Sequence, residues 1–207
     1  MPISAEQKEE LTQRILDVTE RQIAENGLAA VSTRSIAREA GCSGGSIYTR
    51  FSDFDDLVLA VNSRVLARFG STLADLRESA RNLPVEQRLC GMADAYLDFA
   101  LGERNAWSAL FEHRLPDGRS LPDWHRDDHY RLFAMIEEPL LELDPKLTPA
   151  QAAALARTIY SAVHGIVSLS IEDRLGRVDE ASLRGQLRLV VLALAAGLRQ
   201  TPPSGSL

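Results

Sequence analysis

The sequence predicts an all-α protein, and three observations lead to that prediction. Apolar residues recur every three to four positions through most of the 207 residues, which is the period of an amphipathic helix. Glycine and proline stand between these segments, where helices commonly end or begin. No segment shows the apolar–polar alternation of a half-buried strand. We therefore expect helices joined by turns, and no sheet.

The N-terminal segment predicts three helices. Apolar residues from Leu11 to Ile23 recur at helical spacing, and Gly27 suits the left-handed conformation that often ends a helix. A short second helix is expected over 34–40, capped by Ser32 or Thr33 and stopped by a glycine. A third helix starts near Gly44 and ends around residue 51.

A longer fourth helix follows. Ser52 or Asp53 can cap it, and Asp55 and Asp56 lie in its first turn, where the helix dipole favours negative charge. The pattern carries this helix to about Asn82.

Five further helices complete the prediction. Prolines at first turns and turn-rich breaks set their limits. The fifth helix is expected to begin at Pro84, and the sixth and seventh to cover 107–113 and 123–143. The eighth should run from Thr148 to Gly176 and the ninth should cover 179–200. Residues 201–207 are expected to form a disordered tail.

Composition and charge narrow the class of protein. Hydrophobic residues make up 45% and charged residues 25% of the chain, which is typical of a soluble globular protein. Cys42 and Cys90 form no disulfide framework and indicate reduced thiols in a cytosolic protein. We see no signal peptide and no continuous apolar run long enough for a membrane helix. The net charge of -6 argues against wholesale coating of nucleic acid but allows a small basic face on an acidic protein.

The stretch "IAREAGCSGGSIYTRF" has the spacing of a helix-turn-helix. Two helices that cross steeply need small side chains where they meet, and Ala37 and Ala40 supply them. Gly41 suits the turn, while Cys42 and Ile47 can fill the seam against the first helix. The second helix of the motif then keeps a polar face free for the major groove of DNA.

The same region resembles the DNA-binding domain of the TetR family of bacterial transcriptional regulators, and "ILDVTERQIAENG" resembles the first helix of that family. The resemblance implies a helix-turn-helix domain at 1–55 and a helical ligand-binding and dimerisation domain at 56–200. The residues that match the family pattern are Thr33, Ile36, Ala37, Ala40, Gly41, Ser43, Gly45, Ser46, Ile47, Tyr48, Phe51, Asp55 and Leu57.

The resemblance also implies a function. It is that of a cytoplasmic homodimeric repressor, without cofactor, metal or catalytic residues, that leaves a near-palindromic DNA operator when a small molecule of unknown identity binds. Arginine can bind guanine bidentately, and backbone N–H groups at a helix start can meet phosphate. The residues expected at the DNA are Thr33, Arg34, Ser43, Gly45, Ser46, Tyr48, Thr49 and Arg50.

Four positions depart from the family pattern. Cys42 replaces valine, a mild change, and Gln22 stands where a large apolar residue is common. Phe54 stands where a lysine often contacts a phosphate, and its presence removes one expected anchor. Gly44 leaves the start of the recognition helix without a side chain to contact bases.

The C-terminal region resembles a subtype that carries His-Gly in its penultimate long helix, here His164-Gly165. Tyr160 occupies the position where that subtype often has tryptophan. Aromatic residues spread over several helices can enclose a ligand, although each also suits an ordinary core. The residues expected to bind the ligand are Tyr96, Phe99, Trp107, Phe111, Tyr130, Phe133, Tyr160 and His164.

The last two helices carry more apolar residues than one helix pair can bury. Packing against the same pair of a second chain would form a four-helix bundle and present two recognition helices. The residues expected at this dimer interface are Ile159, Val163, Ile166, Val167, Leu187, Val190, Val191 and Leu194.

Other classes of function have less support. The "GCSGG" loop lacks the following Lys-Ser/Thr and the preceding strand of a nucleotide cradle. His125 and His129 share a helix face, but no third metal ligand is fixed by spacing. No nucleophile–base pair indicates an enzyme. A helical interaction module that has lost DNA binding stays an alternative, supported by Phe54, Gly44 and the acidic surface.

Overall fold

A computed structural model describes residues 4–172, 176 and 178–200, and in these residues it has helices and no strand. The predicted all-α class is confirmed. The predicted tail, 201–207, lies outside the described residues. The helices are α1 Ala5–Asn26, a 3₁₀ turn Leu28–Ala30, α2 Thr33–Ala40, α3 Gly44–Tyr48, α4 Phe54–Ser79, α5 Val85–Gly102, α6 Arg104–Glu112, α7 Asp123–Leu143, α8 Pro149–Ile171 and α9 Glu180–Gln200.

Most of the predicted helix limits agree with the structure because local caps set them. The Thr148 side chain accepts a hydrogen bond from the Gln151 backbone N–H, and Pro149 occupies the first helical position of α8. Four limits differ by three residues or more. The predicted ends of α3 near residue 51, of α4 near Asn82 and of α8 at Gly176 are found at Tyr48, Ser79 and Ile171, and α6 begins at Arg104 rather than at residue 107.

The described residues pack as two compact units. The first unit consists of the residues through Ala67 together with Glu103–Arg126, and the second consists of Arg68–Gly102 together with the residues from Asp127 onward. The division of function at residues 55 and 56 stays a prediction.

The first unit packs α1, α2, α3, α6 and the start of α4 around one apolar core. Ile15, Ile36 and Ile47 are fully buried there. The amide of Asn105 on α6 donates to the Ala24 carbonyl on α1, at 2.8 Å. The segment 103–126 therefore belongs to the same fold as the helix-turn-helix, although it is distant in sequence.

The second unit is built on the packing of α5, α8 and α9. Leu97 on α5, Val167 on α8 and Leu187 on α9 are fully buried. The Arg184 guanidinium on α9 contacts the carboxylates of Asp94 and Asp98 on α5. An apolar seam and an ion pair thus hold α9 against α5.

The helices α8 and α9 also carry exposed apolar surface. Both are apolar enough by length and composition to cross a membrane, yet only 28% and 22% of their most apolar windows are buried. One or two helices of this kind are weak evidence for a membrane span, and neither contains the continuous apolar run of about 18 residues that a membrane helix needs. Leu189 is 71% exposed, and Leu169 and Leu192 are exposed as well. Exposed apolar faces of this kind commonly mark an interaction surface.

Candidate DNA-binding surface and ligand cavity

The turn between α2 and α3 has the geometry that the sequence predicts. Gly41 adopts φ +66° and ψ 38°, the left-handed conformation that glycine reaches at little cost. The Ser43 hydroxyl then accepts a hydrogen bond from the Ser46 backbone N–H at 3.1 Å, which caps α3. Ile47 is fully buried. Burial of Ile47 fixes which face of α3 is left for a partner.

The polar residues predicted to contact DNA lie on or beside α3. Tyr48 is 53% exposed, although a tyrosine ring usually buries most of its surface. Its hydroxyl oxygen lies 3.3 Å from the hydroxyl oxygen of Thr33 on α2. The Ser43 and Ser46 hydroxyl oxygens are 2.8 Å apart, and Thr49 is exposed. The structure therefore brings these hydroxyl groups together on the α2–α3 surface.

The arginines of this region differ in orientation. Arg34 and Arg38 are exposed on α2. By contrast, Arg50 is partly buried and donates hydrogen bonds to the carbonyls of Ser46, at 2.8 Å, and Lys8, at 3.4 Å. A guanidinium held by two carbonyls supports the end of α3, so of the two predicted arginines Arg34 is the one whose side chain is exposed.

Gln22, a departure from the family pattern, forms a polar link between α1 and α2. Its amide nitrogen donates to the Glu39 carboxylate, and its amide oxygen accepts from the Ser35 hydroxyl at 2.8 Å. Arg21 also pairs with Glu39. Hydrogen bonds from Gln22 and Arg21 lower the pKa of Glu39. Glu39, the sole acidic residue between Ser32 and Ser52, is thus paired with an arginine of α1.

Gly44 and Gly45 are the first two residues of α3, the recognition helix, and neighbouring residues leave space for a side chain at both positions. A Cβ at Gly44 would have no atom within 4 Å, and one at Gly45 would meet only the Ser43 hydroxyl, at 3.7 Å. Neither residue has a positive φ. Glycine costs roughly 1 kcal/mol relative to alanine in a helix interior, which is an upper limit for these two residues of the first turn. Among the residues that the structure describes, no contact accounts for this cost.

The start of α4 is held by a loop from the other part of the first unit. The Asp53 side chain caps the helix by accepting from the Asp56 N–H at 2.8 Å, which confirms one of the two predicted caps. This backbone hydrogen bond lowers the pKa of Asp53, and the Arg119 guanidinium adds to the effect. Arg119 pairs with both Asp53 and Asp56 and lies 3.5 Å from Asp55. Phe54 packs against the core of the unit.

His113 is expected to make the stability of the first unit depend on pH. Its imidazole is 9% exposed, and Nε2 lies 3.5 Å from an Asp55 carboxylate oxygen, with Arg119 and Asp53 nearby. Burial lowers the pKa of His113 more than the attraction of Asp55 raises it. Since the unfolded state then binds the proton more readily, stability decreases as the pH falls below about 6.5, the ordinary pKa of histidine.

We therefore expect the melting temperature to fall between about pH 7.5 and about pH 5.5, and to fall less for His113→Gln, whose amide does not titrate. Thermal denaturation followed by circular dichroism at each pH measures this difference. His129→Gln on α7 is the control for the loss of an imidazole. If the melting temperatures of the wild type and of His113→Gln change with pH in parallel, His113 is not the group responsible.

The second unit contains a cavity of about 50 Å³. Its wall is almost wholly apolar, and α4, α5, α7 and α8 contribute to it. A single buried water needs about 10–15 Å³, so the space exceeds what one water requires. The lining residues are Phe69, Leu73, Leu89, Met92, Ala93, Tyr96, Ile136, Ile159, Tyr160 and Val163.

Aromatic rings surround one side of the cavity. The Tyr160 ring packs edge-on against Tyr96 and Phe133, with centroids 5.7 and 5.3 Å apart, and stacks on the His164 imidazole. The Tyr96 hydroxyl oxygen is 2.7 Å from Nδ1 of His164. Burial lowers the pKa of His164 and raises the pKa of Tyr160, so both groups are held uncharged at neutral pH.

The eight predicted ligand-binding residues fall into four groups. Tyr96 and Tyr160 line the cavity, and Phe99, Phe133 and His164 belong to the ring cluster behind it. Tyr130 is 49% exposed. Trp107 and Phe111 lie in the first unit, where their rings contact each other. Sequence reasoning missed the aliphatic lining, because a cavity wall and a core carry the same helical spacing.

The eight predicted dimer residues also differ in burial. Ile166, Val190 and Leu194 are partly exposed. The other five are buried in the single chain, and two of these, Ile159 and Val163, line the cavity. The exposed leucines of α8 and α9 were not among the residues predicted.

The predicted histidine pair is not arranged as a metal site. His125 is buried, with Nδ1 2.9 Å from the Ser63 hydroxyl oxygen, while His129 is partly exposed. The part of the chain that the structure describes has no group of three or more histidine, cysteine, aspartate or glutamate side chains placed to hold a metal.

Two family models match the sequence. The model described as "Bacterial regulatory proteins, tetR family" matches residues 15–61, which include the helix-turn-helix. The model described as "Tetracyclin repressor-like, C-terminal domain" matches residues 89–194, just over half of the chain.

Solved structures share the fold over nearly the whole chain. A TetR-family transcriptional regulator from Streptomyces coelicolor is 19% identical, with 90% of this chain and 98% of that chain covered and a TM-score of 0.67. FadR from Bacillus subtilis in complex with stearoyl-CoA is 16% identical, with coverage of 89% and 98% and a TM-score of 0.66. BioQ with its double-stranded DNA operator is 17% identical, with coverage of 89% and 98% and a TM-score of 0.62.

Proposed function

The chain belongs to the TetR family of bacterial regulatory proteins, and we propose that it is a homodimeric repressor that a small molecule releases from its operator. As a member of the family it is a DNA-binding transcriptional regulator with a helix-turn-helix. Repression, dimerisation and ligand release are the parts of the proposal that require experiments.

The observation that carries the proposal is the open glycine pair at the start of α3. Gly44 and Gly45 weaken a five-residue helix although the protein leaves space for a larger residue at Gly44. A rigid partner that approaches the backbone closely accounts for this choice, because a methyl group there would separate the two surfaces. A DNA phosphate backbone is such a partner, and the exposed Tyr48 and Arg34 lie on the same motif.

We expect Gly44→Ala to raise stability and weaken DNA binding together. Removing a helical glycine should stabilise the chain by up to about 1 kcal/mol, whereas the added methyl group should lower operator affinity by roughly 10-fold or more. Footprinting on the upstream region of the protein's own operon locates the operator, and titration with the wild type and the variant at physiological salt gives the affinities.

Gly102→Ala is the matched control, since a Cβ there also meets open space but lies at the end of α5, outside the helix-turn-helix. It should leave operator affinity unchanged. If the wild type protects no DNA site in the footprinting experiment, the proposal fails. The alternative, a helical interaction module that does not bind DNA, is then favoured. If Gly44→Ala binds as tightly as the wild type, close approach at α3 is wrong.

The dimer is proposed to form through the exposed faces of α8 and α9. Leu169, Leu189 and Leu192 present apolar surface that a second copy would cover. Two-fold symmetry then places the recognition helices on half-sites separated by about one turn of DNA, ~34–36 Å. Operator affinity then depends on the separation of the two recognition helices. A ligand that favours another separation therefore lowers this affinity.

A further inference from the structure

The composition of the cavity wall limits the charge that a bound ligand can carry. The ten lining residues are aliphatic or aromatic, and no arginine, lysine, aspartate or glutamate is among them. A charged group that leaves water without a partner of opposite charge loses its hydration without compensation. The wall therefore selects against carboxylates, phosphates and ammonium groups.

One polar feature lies at the wall. The Tyr96 hydroxyl is directed at the imidazole of His164, 2.7 Å away, and Tyr96 itself is 5% exposed. A hydroxyl has one donor and two lone pairs, and the Tyr96 hydroxyl bonds to the Tyr160 side chain as well as to His164, so a ligand would use the position that these two bonds leave. Tyr160, whose ring contacts both residues, places a second hydroxyl-bearing side chain in the lining. A ligand can thus form one or two hydrogen bonds at this side.

We propose that the cavity binds an uncharged, mostly apolar molecule that carries one hydroxyl or carbonyl group, and that this group hydrogen-bonds to Tyr96 or Tyr160. The inference rests on the proposed function, because it describes the class of molecule that would act as the effector. The volume of about 50 Å³ is smaller than the roughly 150 Å³ of a cavity that binds benzene, so a ring-sized ligand requires the wall to move. Met92, which has a flexible side chain, is the lining residue best able to move for a larger ligand.

Four compounds of nearly equal size separate charge from shape: benzyl alcohol, toluene, benzoate and benzylammonium. Direct binding to the full chain, measured by ligand-observed NMR and by calorimetry at neutral pH, requires no DNA. We expect benzyl alcohol to bind more tightly than toluene, and both ions to bind at least about 100-fold more weakly than benzyl alcohol. Tighter binding of benzoate or benzylammonium would overturn the inference, and so would the absence of binding by all four.

Two variants locate the binding. Tyr96→Phe keeps the ring and removes the hydroxyl, so the affinity for benzyl alcohol should fall about 5- to 10-fold while that for toluene is unchanged. Ala93→Leu adds bulk inside the cavity and should reduce the binding of all compounds. If Ala93→Leu does not fold, as judged by circular dichroism, Tyr96→Phe still decides, because an unchanged preference for the alcohol would overturn the assignment of the hydroxyl.

A separate measurement distinguishes failure of this inference from failure of the proposed function. Operator binding without any compound tests the function alone. A chain that binds operator but prefers charged compounds retains the proposed function and overturns the inference. A chain that binds benzyl alcohol as expected but no operator supports the inference about the cavity and overturns the function.

Discussion

Combined replacement of Arg34 by alanine and Tyr48 by phenylalanine is expected to lower operator affinity by at least about 100-fold. A base contact by arginine is worth roughly 1–3 kcal/mol and a hydrogen bond to a charged phosphate about 1.5–3 kcal/mol. Both side chains are exposed on the helix-turn-helix, and a two-fold dimer carries each change twice. Fluorescence anisotropy with the footprinted operator and with a scrambled duplex of equal length measures the loss.

Two control variants make the same kinds of substitution outside the helix-turn-helix. Arg81→Ala removes the same charge from an arginine that is 66% exposed beyond α4, and Tyr130→Phe removes the hydroxyl of an exposed tyrosine on α7. Both should bind operator as the wild type does. Equal losses from the control and the α2–α3 variants would show that net charge governs binding, and an unchanged Arg34 and Tyr48 double variant would exclude this surface as the DNA contact.

The second large effect is expected from Leu189→Glu on α9. The side chain is 71% exposed in the single chain, so the fold should tolerate glutamate, whereas two buried carboxylates at a two-fold interface would oppose association. We expect a folded monomer and, because one half-site is then bound alone, operator affinity lower by roughly 1,000-fold or more. Analytical ultracentrifugation gives the mass, and circular dichroism gives the helix content.

Leu83→Glu is the matched control, since it makes the same change at an exposed leucine between α4 and α5. It should leave the oligomeric state unchanged. A Leu189→Glu protein that remains dimeric would locate the interface elsewhere. Recovery of the wild-type protein with membranes rather than in solution would instead assign the apolar faces of α8 and α9 to lipid.

Features that depend on neighbouring residues were predictable from the sequence. Gly41 at the turn and Thr148 with Pro149 at the start of α8 are determined within a few positions of the chain. The polar surface of α2 and α3 follows in the same way, because burial of Ile36 and Ile47 leaves the remaining positions outside.

Features that depend on distant segments were not predictable. The segment "RLPDGRSLPDW" indicates a turn, but nothing in it indicates that Arg119 pairs with Asp53 and Asp56. Similarly, Leu73, Met92 and Ile136 line the cavity only because of how their helices cross, and each has the spacing of a core residue. The orientation of the Arg50 side chain was not predictable either, because a backbone carbonyl and a phosphate attract the same guanidinium.

The pairing of Arg119 with the first turn of α4 has a consequence for exchanging parts between regulators. The fold around the helix-turn-helix is assembled from two separate stretches, since Glu103–Arg126 completes it and supplies Arg119. Transplanting only the first 67 residues onto another regulator would therefore leave three aspartates without their arginine and uncover the apolar side of α1. A chimera that retains the operator specificity of this chain must therefore contain both segments. The transferable DNA-binding unit is discontinuous in sequence.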